Sequence, residues 1–262
     1  MTKIIAIASG KGGVGKTTTA INLGCALSHF GKDVVVVDGN IATPHIALHL
    51  GSVKLESTLN DALLGKKSIT NTAYLHPSGL RVIPASIALK DYQQCGLEKL
   101  RNVLLDLIGT TEIVLLDIGA GANKETVNAL HAADEVLIIT TPDTLAVGDA
   151  IKTIAIAEEG SIPVMGAVLN RVTNDRGELS QKNVEALLGK PVLGIIPDDH
   201  HVRRALTMKQ PIVHSHPEAP AAIAYKKLAA FLLGQQYEPF SPSKEDGKEK
   251  GVVMQLLEKF GF

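Results

Sequence analysis

Directly behind the apolar run KIIAIA, the chain reads SGKGGVGKTTTA from Ser9 to Ala20. Gly10, Gly15, Lys16 and Thr17 meet the spacing G-x-x-x-x-G-K-[ST], and each residue type is needed where it stands. The glycines let the backbone curl so that successive N–H groups face the oxygens of a phosphate chain. The helix that follows the loop would add its positive N-terminus to the same anion. Lys16 can reach the β- and γ-phosphates, and the Thr17 hydroxyl can ligate Mg2+. The cradle therefore comprises Gly10, Lys11, Gly12, Gly13, Val14, Gly15, Lys16, Thr17 and Thr18, and it demands a strand before it and a helix after it. Lys11 is redundant in that scheme, because Lys16 already serves the phosphates and Lys11 cannot easily fold back onto them.

Beyond the loop, short β-branched runs alternate with helix-like stretches. Strands are expected at Ile4–Ala8, Val34–Asp38, Leu80–Pro84, Ile113–Asp117, Glu135–Thr140, Val164–Asn170 and Val192–Ile196. Helices are expected at Thr17–Phe30, Glu98–Ile108, Lys124–His131, Thr144–Glu159, Leu179–Leu188 and Ala219–Leu233. Continuously apolar strands suit a sheet covered on both faces, and strand–helix–strand repetition implies right-handed crossovers. The expected class is α/β: a doubly wound, mostly parallel sheet with helices on both faces. Of the 262 residues, 45% are hydrophobic, enough for a sizeable core. The formal charge of −1 disfavours a nucleic-acid partner held by bulk electrostatics. Two cysteines, Cys25 and Cys95, give no disulfide framework and fit a reducing cytoplasm. No apolar stretch reaches the roughly 18 residues of a spanning helix, so membrane contact is expected to be peripheral.

The loop GKGGVGKT as it stands is the signature of the deviant Walker-A ATPases, the group of MinD and ParA. The chain resembles them over nearly its whole length, and within the group it resembles the archaeal type of MinD. The resemblance implies a P-loop NTPase fold, Mg-ATP as ligand and two subunits face to face, with Lys11 crossing to the partner's phosphates. It also implies that Asp38, closing the second strand, holds a water on the magnesium. IVLLDIGAGAN ends a strand at Asp117 and resembles the family's second switch, again near magnesium and the γ-phosphate. Gly119 takes the place of the usual proline there, which predicts a looser loop.

At the first switch, DGNIATPH, the family usually has a second aspartate where this chain has Asn40. An amide can hold a water but is a very poor proton acceptor, so slow hydrolysis and a long-lived ATP dimer are expected. In the competing reading, positioning by the amide suffices, because phosphoryl transfer relies mainly on positioning and electrostatics. In its extreme form the substitution would leave a nearly hydrolysis-dead scaffold. The catalytic set is Lys11, Lys16, Asp38, Asn40 and Asp117, with Thr17, Asp38 and Asp117 at the metal.

GAVLNR matches the family stretch that sets an amide, Asn170, on the adenine edge and a guanidinium, Arg171, against its face. GIIPDDHHVRRA matches the stretch whose backbone near Pro197 and Asp198 contacts the base. No NKxD sequence is present, which argues against GTP. His45 is expected near the nucleotide or the dimer partner, and Asp149 is expected to pair with Lys11 in the absence of a partner. The nine histidines include the pairs His200–His201 and His214–His216, but no spacing places a ligand set on one helix face, so these read as surface residues.

The ATPase domain is expected over 1–234 and a polar tether over 235–250. Residues 251–262 then form an amphipathic helix with Val252, Val253, Leu256, Leu257 and Phe260 on one face. This resembles the family's membrane-targeting tail, although Glu249 and Glu258 offset its lysines and leave only modest attraction to anionic lipid. Docking of that helix on the protein's own body or on a partner is the alternative. The implied function is a MinD-like ATPase, cytoplasmic and peripheral on the inner face of the cell membrane. It would form a homodimer with ATP and position a cell-division or other system through an unidentified activator or cargo. A ParA-like partitioning ATPase on nonspecific DNA is the rival, with Arg203, Arg204, Lys226 and Lys227 as meagre support.

Overall fold

The computed structural model describes residues 2–51 and 55–239. Eight strands form one sheet: β1 Lys3–Ser9, β2 Val34–Asp38, β3 Tyr74–Leu75, β4 Arg81–Ile83, β5 Ile113–Ala120, β6 Glu135–Thr140, β7 Val164–Val172 and β8 Val192–Pro197. Their order is β3-β4-β2-β5-β1-β6-β7-β8, so β1, with the glycine loop at its C-terminal end, lies inside the sheet. Every pairing is parallel except β3 with β4.

The helices are α1 Lys16–His29, α2 Ile46–His49, α3 Leu59–Leu63, α4 Leu89–Gln94, α5 Leu100–Leu105 and α6 Lys124–Leu130. They continue with α7 Thr144–Glu159, α8 Gln181–Leu188, α9 His200–Thr207, α10 Ile212–Ser215 and α11 Pro220–Leu232. No helix among the described residues is long and apolar enough to cross a membrane.

The continuous apolar strands are explained by two cores, one on each face of the sheet. Ile4, Ala6, Ala8, Val35 and Val37 pack on one side. The alternate residues Ile5, Ile7, Val34 and Val36 pack on the other, against α1 and α11. Successive side chains point to opposite faces, so both parities must be apolar when both faces are dry.

Seven expected strands and six expected helices are present; β2, β6 and α7 keep the expected bounds and the others have shifted ends. The helix expected over 98–108 is shorter: a 3₁₀ turn at Leu97–Lys99 precedes α5, and beyond Leu105 the backbone closes only i→i+3 bonds. The buried Leu97, Leu100, Leu104 and Leu107 produce the period that reads as one long helix. The two-residue antiparallel β3 and the helices α2, α3, α4, α9 and α10 were not expected from the sequence. Each has eight residues or fewer, too short for periodicity to mark. Of the tether, only residues up to 239 are described, where Tyr237 meets Phe30 edge-on at 5.8 Å. The expected helix over 251–262, with Val252, Val253, Leu256, Leu257 and Phe260, lies outside the described residues.

Candidate nucleotide site

The loop between β1 and α1 is held open from both sides. Gly13 and Gly15 adopt positive φ, 81° and 98°, in the left-handed region that glycine enters without a Cβ clash. A Cβ on Gly10 would lie 2.1 Å from the carbonyl oxygen of Asp149, so α7 crosses the loop backbone to backbone. On the far side, the Asn170 amide donates to the Val14 carbonyl at 2.7 Å. The first turn of α1 has no side-chain cap and no acidic residue, which leaves its N–H donors for a ligand. Lys16 Nζ donates to Ser9 Oγ at 3.0 Å, and that hydroxyl donates to the Lys11 carbonyl at 2.8 Å. Burial pulls the Lys16 ammonium below its usual range, and the nearby Asp117 opposes this.

Behind the loop lie two carboxylates that water does not reach. Asp38 is fully buried and accepts three backbone N–H bonds, from Asn40 (3.3 Å), His45 (3.0 Å) and Ile46 (3.0 Å). Asp117 Oδ2 accepts the Thr17 hydroxyl at 2.5 Å, while Asp117 Oδ1 is buried with no partner. Burial raises both carboxyls above the ordinary range, and Asp117 adds to the shift of Asp38. An orphaned carboxylate oxygen beside a threonine hydroxyl and a second buried carboxylate fits a hard divalent cation, which takes oxygen ligands. Thr17 would hold magnesium directly, and Asp38 and Asp117 through its waters. When bound, the cation would neutralise phosphate charge.

A cavity of about 290 Å³ in front of the loop is lined by Gly12, Gly13, Gly15, Lys16, Thr17 and Thr18, with Asn40, Thr43, His45 and Arg171. Asn40 does not point freely into it. Its amide donates to the Thr43 carbonyl at 2.8 Å and to the Thr43 hydroxyl at 2.9 Å, closing the first switch on itself. Gly119, expected to loosen a loop, instead sits inside β5, which runs on to Ala120 because that residue pairs with Ser9. Lys11 meets Asp143 at 3.7 Å rather than Asp149, which bonds to Lys152 at 3.2 Å. The expected Lys11–Asp149 pair is therefore corrected: Asp143 caps α7 beside the loop, while Asp149 gives the loop its backbone.

A second cavity of about 480 Å³ opens beside the first, lined by Thr18, Asn170, Arg171, Pro197 and Asp198. Arg171 has φ 56° at a register shift between β7 and β8, a bulge that re-aims side chains. The Asp198 N–H is tied to the Val172 carbonyl at 2.9 Å. The residues read as base contacts thus share one wall, although one amide hydrogen of Asn170 is spent on the loop. Tyr225, Val202 and Arg203 complete the cavity. They were not singled out as base contacts in the sequence, because they come from α9 and α11, whose approach only the packing creates.

His49 also lines the phosphate cavity. Burial, aided by His45 and Lys209, lowers its pKa to about 4 from an ordinary 6.5. The unfolded chain therefore binds more protons between those values. The stability contribution is complete above about pH 6.5 and is lost as pH falls toward 4. His29 and His76, also lowered chiefly by burial, act in the same direction. Denaturant midpoints measured across this window should fall with pH, and a His49→Gln variant should show a shallower fall. An unchanged slope would contradict the burial of neutral His49.

A glycine cradle at the end of an inner parallel strand, a half-buried lysine and paired buried carboxylates define a P-loop nucleotide-binding protein. The chain belongs to the CobQ/CobB/MinD/ParA nucleotide-binding domain family, whose model matches residues 5–212. It is 41% identical over 242 residues to an uncharacterised ATP-binding protein of Methanocaldococcus jannaschii, covering 92% of each chain. The cell division ATPase MinD of Pyrococcus furiosus superposes with a TM-score of 0.86 at 29% identity, over 89% of this chain and 99% of that one. The septum site-determining protein MinD of Pyrococcus horikoshii, solved with Mg-ADP, gives 0.85 at 29% identity, over 88% and 96%.

Proposed function

We propose that this chain is a MinD-like ATPase that dimerises on Mg-ATP, attaches peripherally to an anionic membrane surface and positions a cell-division or other cellular system. The ATPase domain would span 1–234, and the tail over 251–262 would carry the attachment. The observation that supports this reading is the place of Lys11. The lysine stands outside the phosphate cavity of its own loop, exposed, and among the described residues its ammonium pairs with the half-exposed Asp143 at 3.7 Å. Such a pair contributes little in water, on the order of 1 kcal/mol or less, so a partner's triphosphate can take the lysine from it. A nucleotide that touches both subunits links its own affinity to dimerisation. The Mg-ADP in the Pyrococcus horikoshii relative supports the choice of nucleotide and cation.

Gel filtration with light scattering tests the scheme. Full-length protein should be monomeric in ADP and dimeric in ATP, and Lys11→Ala should remain monomeric in both while still binding ATP. A Lys11→Ala protein that dimerises fully in ATP would remove the reading. In the same ATP state, truncation after Gly234 should abolish co-sedimentation with anionic liposomes and leave the dimer intact.

A further inference from the structure

The second cavity, read above as the seat of the base, has an outer wall that carries a cluster of carboxylate and imidazole groups. Asp199 ends the loop after β8 and caps α9, and its side chain is only 4% exposed. One oxygen, Oδ1, accepts the His201 backbone N–H at 2.9 Å and meets His201 Nδ1 at 2.8 Å. The other, Oδ2, accepts the Ala221 N–H at 3.1 Å, in the first turn of α11. Burial works against this charge, but the N–H bonds from the starts of two helices and the His201 ring hold its carboxyl below the usual range.

His200 joins the group, with Nδ1 at 3.9 Å from the same Oδ1, and its ring centre lies 3.9 Å from that of His201. One donor atom from each of Asp199, His200 and His201 lies within 4.8 Å of the other two. His216, which follows α10, brings a third imidazole, its ring centre 5.1 Å from that of His201. Its Nδ1 is engaged by the Ser215 hydroxyl at 3.0 Å, and among the described residues Nε2 has no hydrogen-bond partner.

We propose that Asp199, His200 and His201, joined by His216, hold a divalent transition-metal ion of the zinc class on the outer wall of the base cavity, and that the ion stiffens that wall for the nucleotide. Three neutral imidazoles and one carboxylate form a borderline donor set, which suits zinc, cobalt or nickel rather than magnesium or calcium. Two ligands about 2.1 Å from one tetrahedral ion lie roughly 3.4 Å apart, between the two separations now measured from Oδ1. Rotation of the His200 ring would close the Asp199–His200–His201 set, with the His201 ring switching to its Nε2–H tautomer, and His216 would swing in as the fourth ligand from a ring centre 5.1 Å from that of His201. The helix N-terminus opposes a divalent cation by up to about 30-fold in affinity, and the buried carboxylate works against this. Asp199 lines the base cavity together with Asp198, Val202 and Arg203, so an ion on this cluster fixes residues on both sides. No sequence period marks the set, because its donors are three consecutive residues across a cap plus one from another segment.

Cobalt tests this on full-length, nucleotide-free protein. Titration with Co2+ alone should develop the intense visible bands of a four-coordinate ion, saturating at one equivalent. A His200→Ala/His201→Ala double variant should lose the bands, with affinity at least about 100-fold weaker. The His200→Ala single variant, at the 61%-exposed position, serves if the double variant is unstable. A His214→Ala control should keep the bands. In excess Mg2+, saturating Zn2+ should tighten ADP binding about 5-fold or more in the wild type and not in the double variant. Absence of the bands from the wild type, their survival in the double variant, or an ADP affinity indifferent to zinc would each overturn the proposal. This site stands apart from the dimer and membrane reading, and neither result depends on them.

Discussion

Replacing Asn40 by aspartate is expected to raise the rate of ATP hydrolysis by about 10²–10⁴, the range over which a positioned general base acts. Two effects point the same way. The carboxylate supplies a proton acceptor in a cavity whose other titratable side chains are Lys16, Arg171, His45 and His49. It also removes the bond donated to the Thr43 carbonyl, while the bonds accepted from the Thr43 N–H and hydroxyl stay available to a carboxylate. The Asn40 amide now donates to the Thr43 carbonyl at 2.8 Å, and an aspartate oxygen there would face that carbonyl with no hydrogen to share. Phosphate release under single-turnover conditions measures the change, with Thr43→Ala separating the release of the loop from the gain of charge. Equal rates for Asn40→Asp and wild type would show that the amide suffices, and slow hydrolysis would no longer follow from this residue.

Asp117→Asn should divide stability from function. Without magnesium, the buried carboxylate keeps an oxygen with no partner and a charge that burial disfavours. Its raised pKa means that the folded chain holds a proton more tightly than the unfolded one. The cost of ionisation is therefore absent at low pH and grows as pH rises through the folded pKa. At pH 8 the nucleotide-free variant should unfold at a higher temperature than wild type, and below pH 4 the difference should vanish. Mg-ADP at about 100 times its Kd should stabilise wild type by about 2.7 kcal/mol and the variant by far less. A variant stabilised equally by Mg-ADP would exclude Asp117 from the cation site. Catalytic carboxylates held at a cost to the fold are a common form of this exchange.

How much of this was legible in the sequence depends on the range of the interactions involved. The glycine loop between β1 and α1 was legible, because glycines at fixed spacing shape their own backbone. The parallel sheet was legible for a similar reason, since apolar runs without alternation need two covered faces. The partner of Lys11 was not. Asp143 caps α7 and Asp149 lies in its second turn, and only the crossing of α7 against Gly10 decides which presents a side chain and which a carbonyl. The role of Gly119 was misread because extension of β5 depends on Ser9 across the sheet. The self-closure of Asn40 on Thr43 is local, yet it depends on backbone angles that composition does not reveal.

From its residues alone the chain is committed to a glycine-rich loop of the P-loop type and to an α/β sheet buried on both sides. These follow from bond geometry and from apolar surface seeking cover, both of which act within a few residues. Folding in three dimensions decided the rest: an orphaned oxygen on Asp117, a base cavity walled by helices far apart in the chain, and an imidazole cluster around Asp199. Each of those depends on how far one element stands from another, a distance set by packing across the whole core.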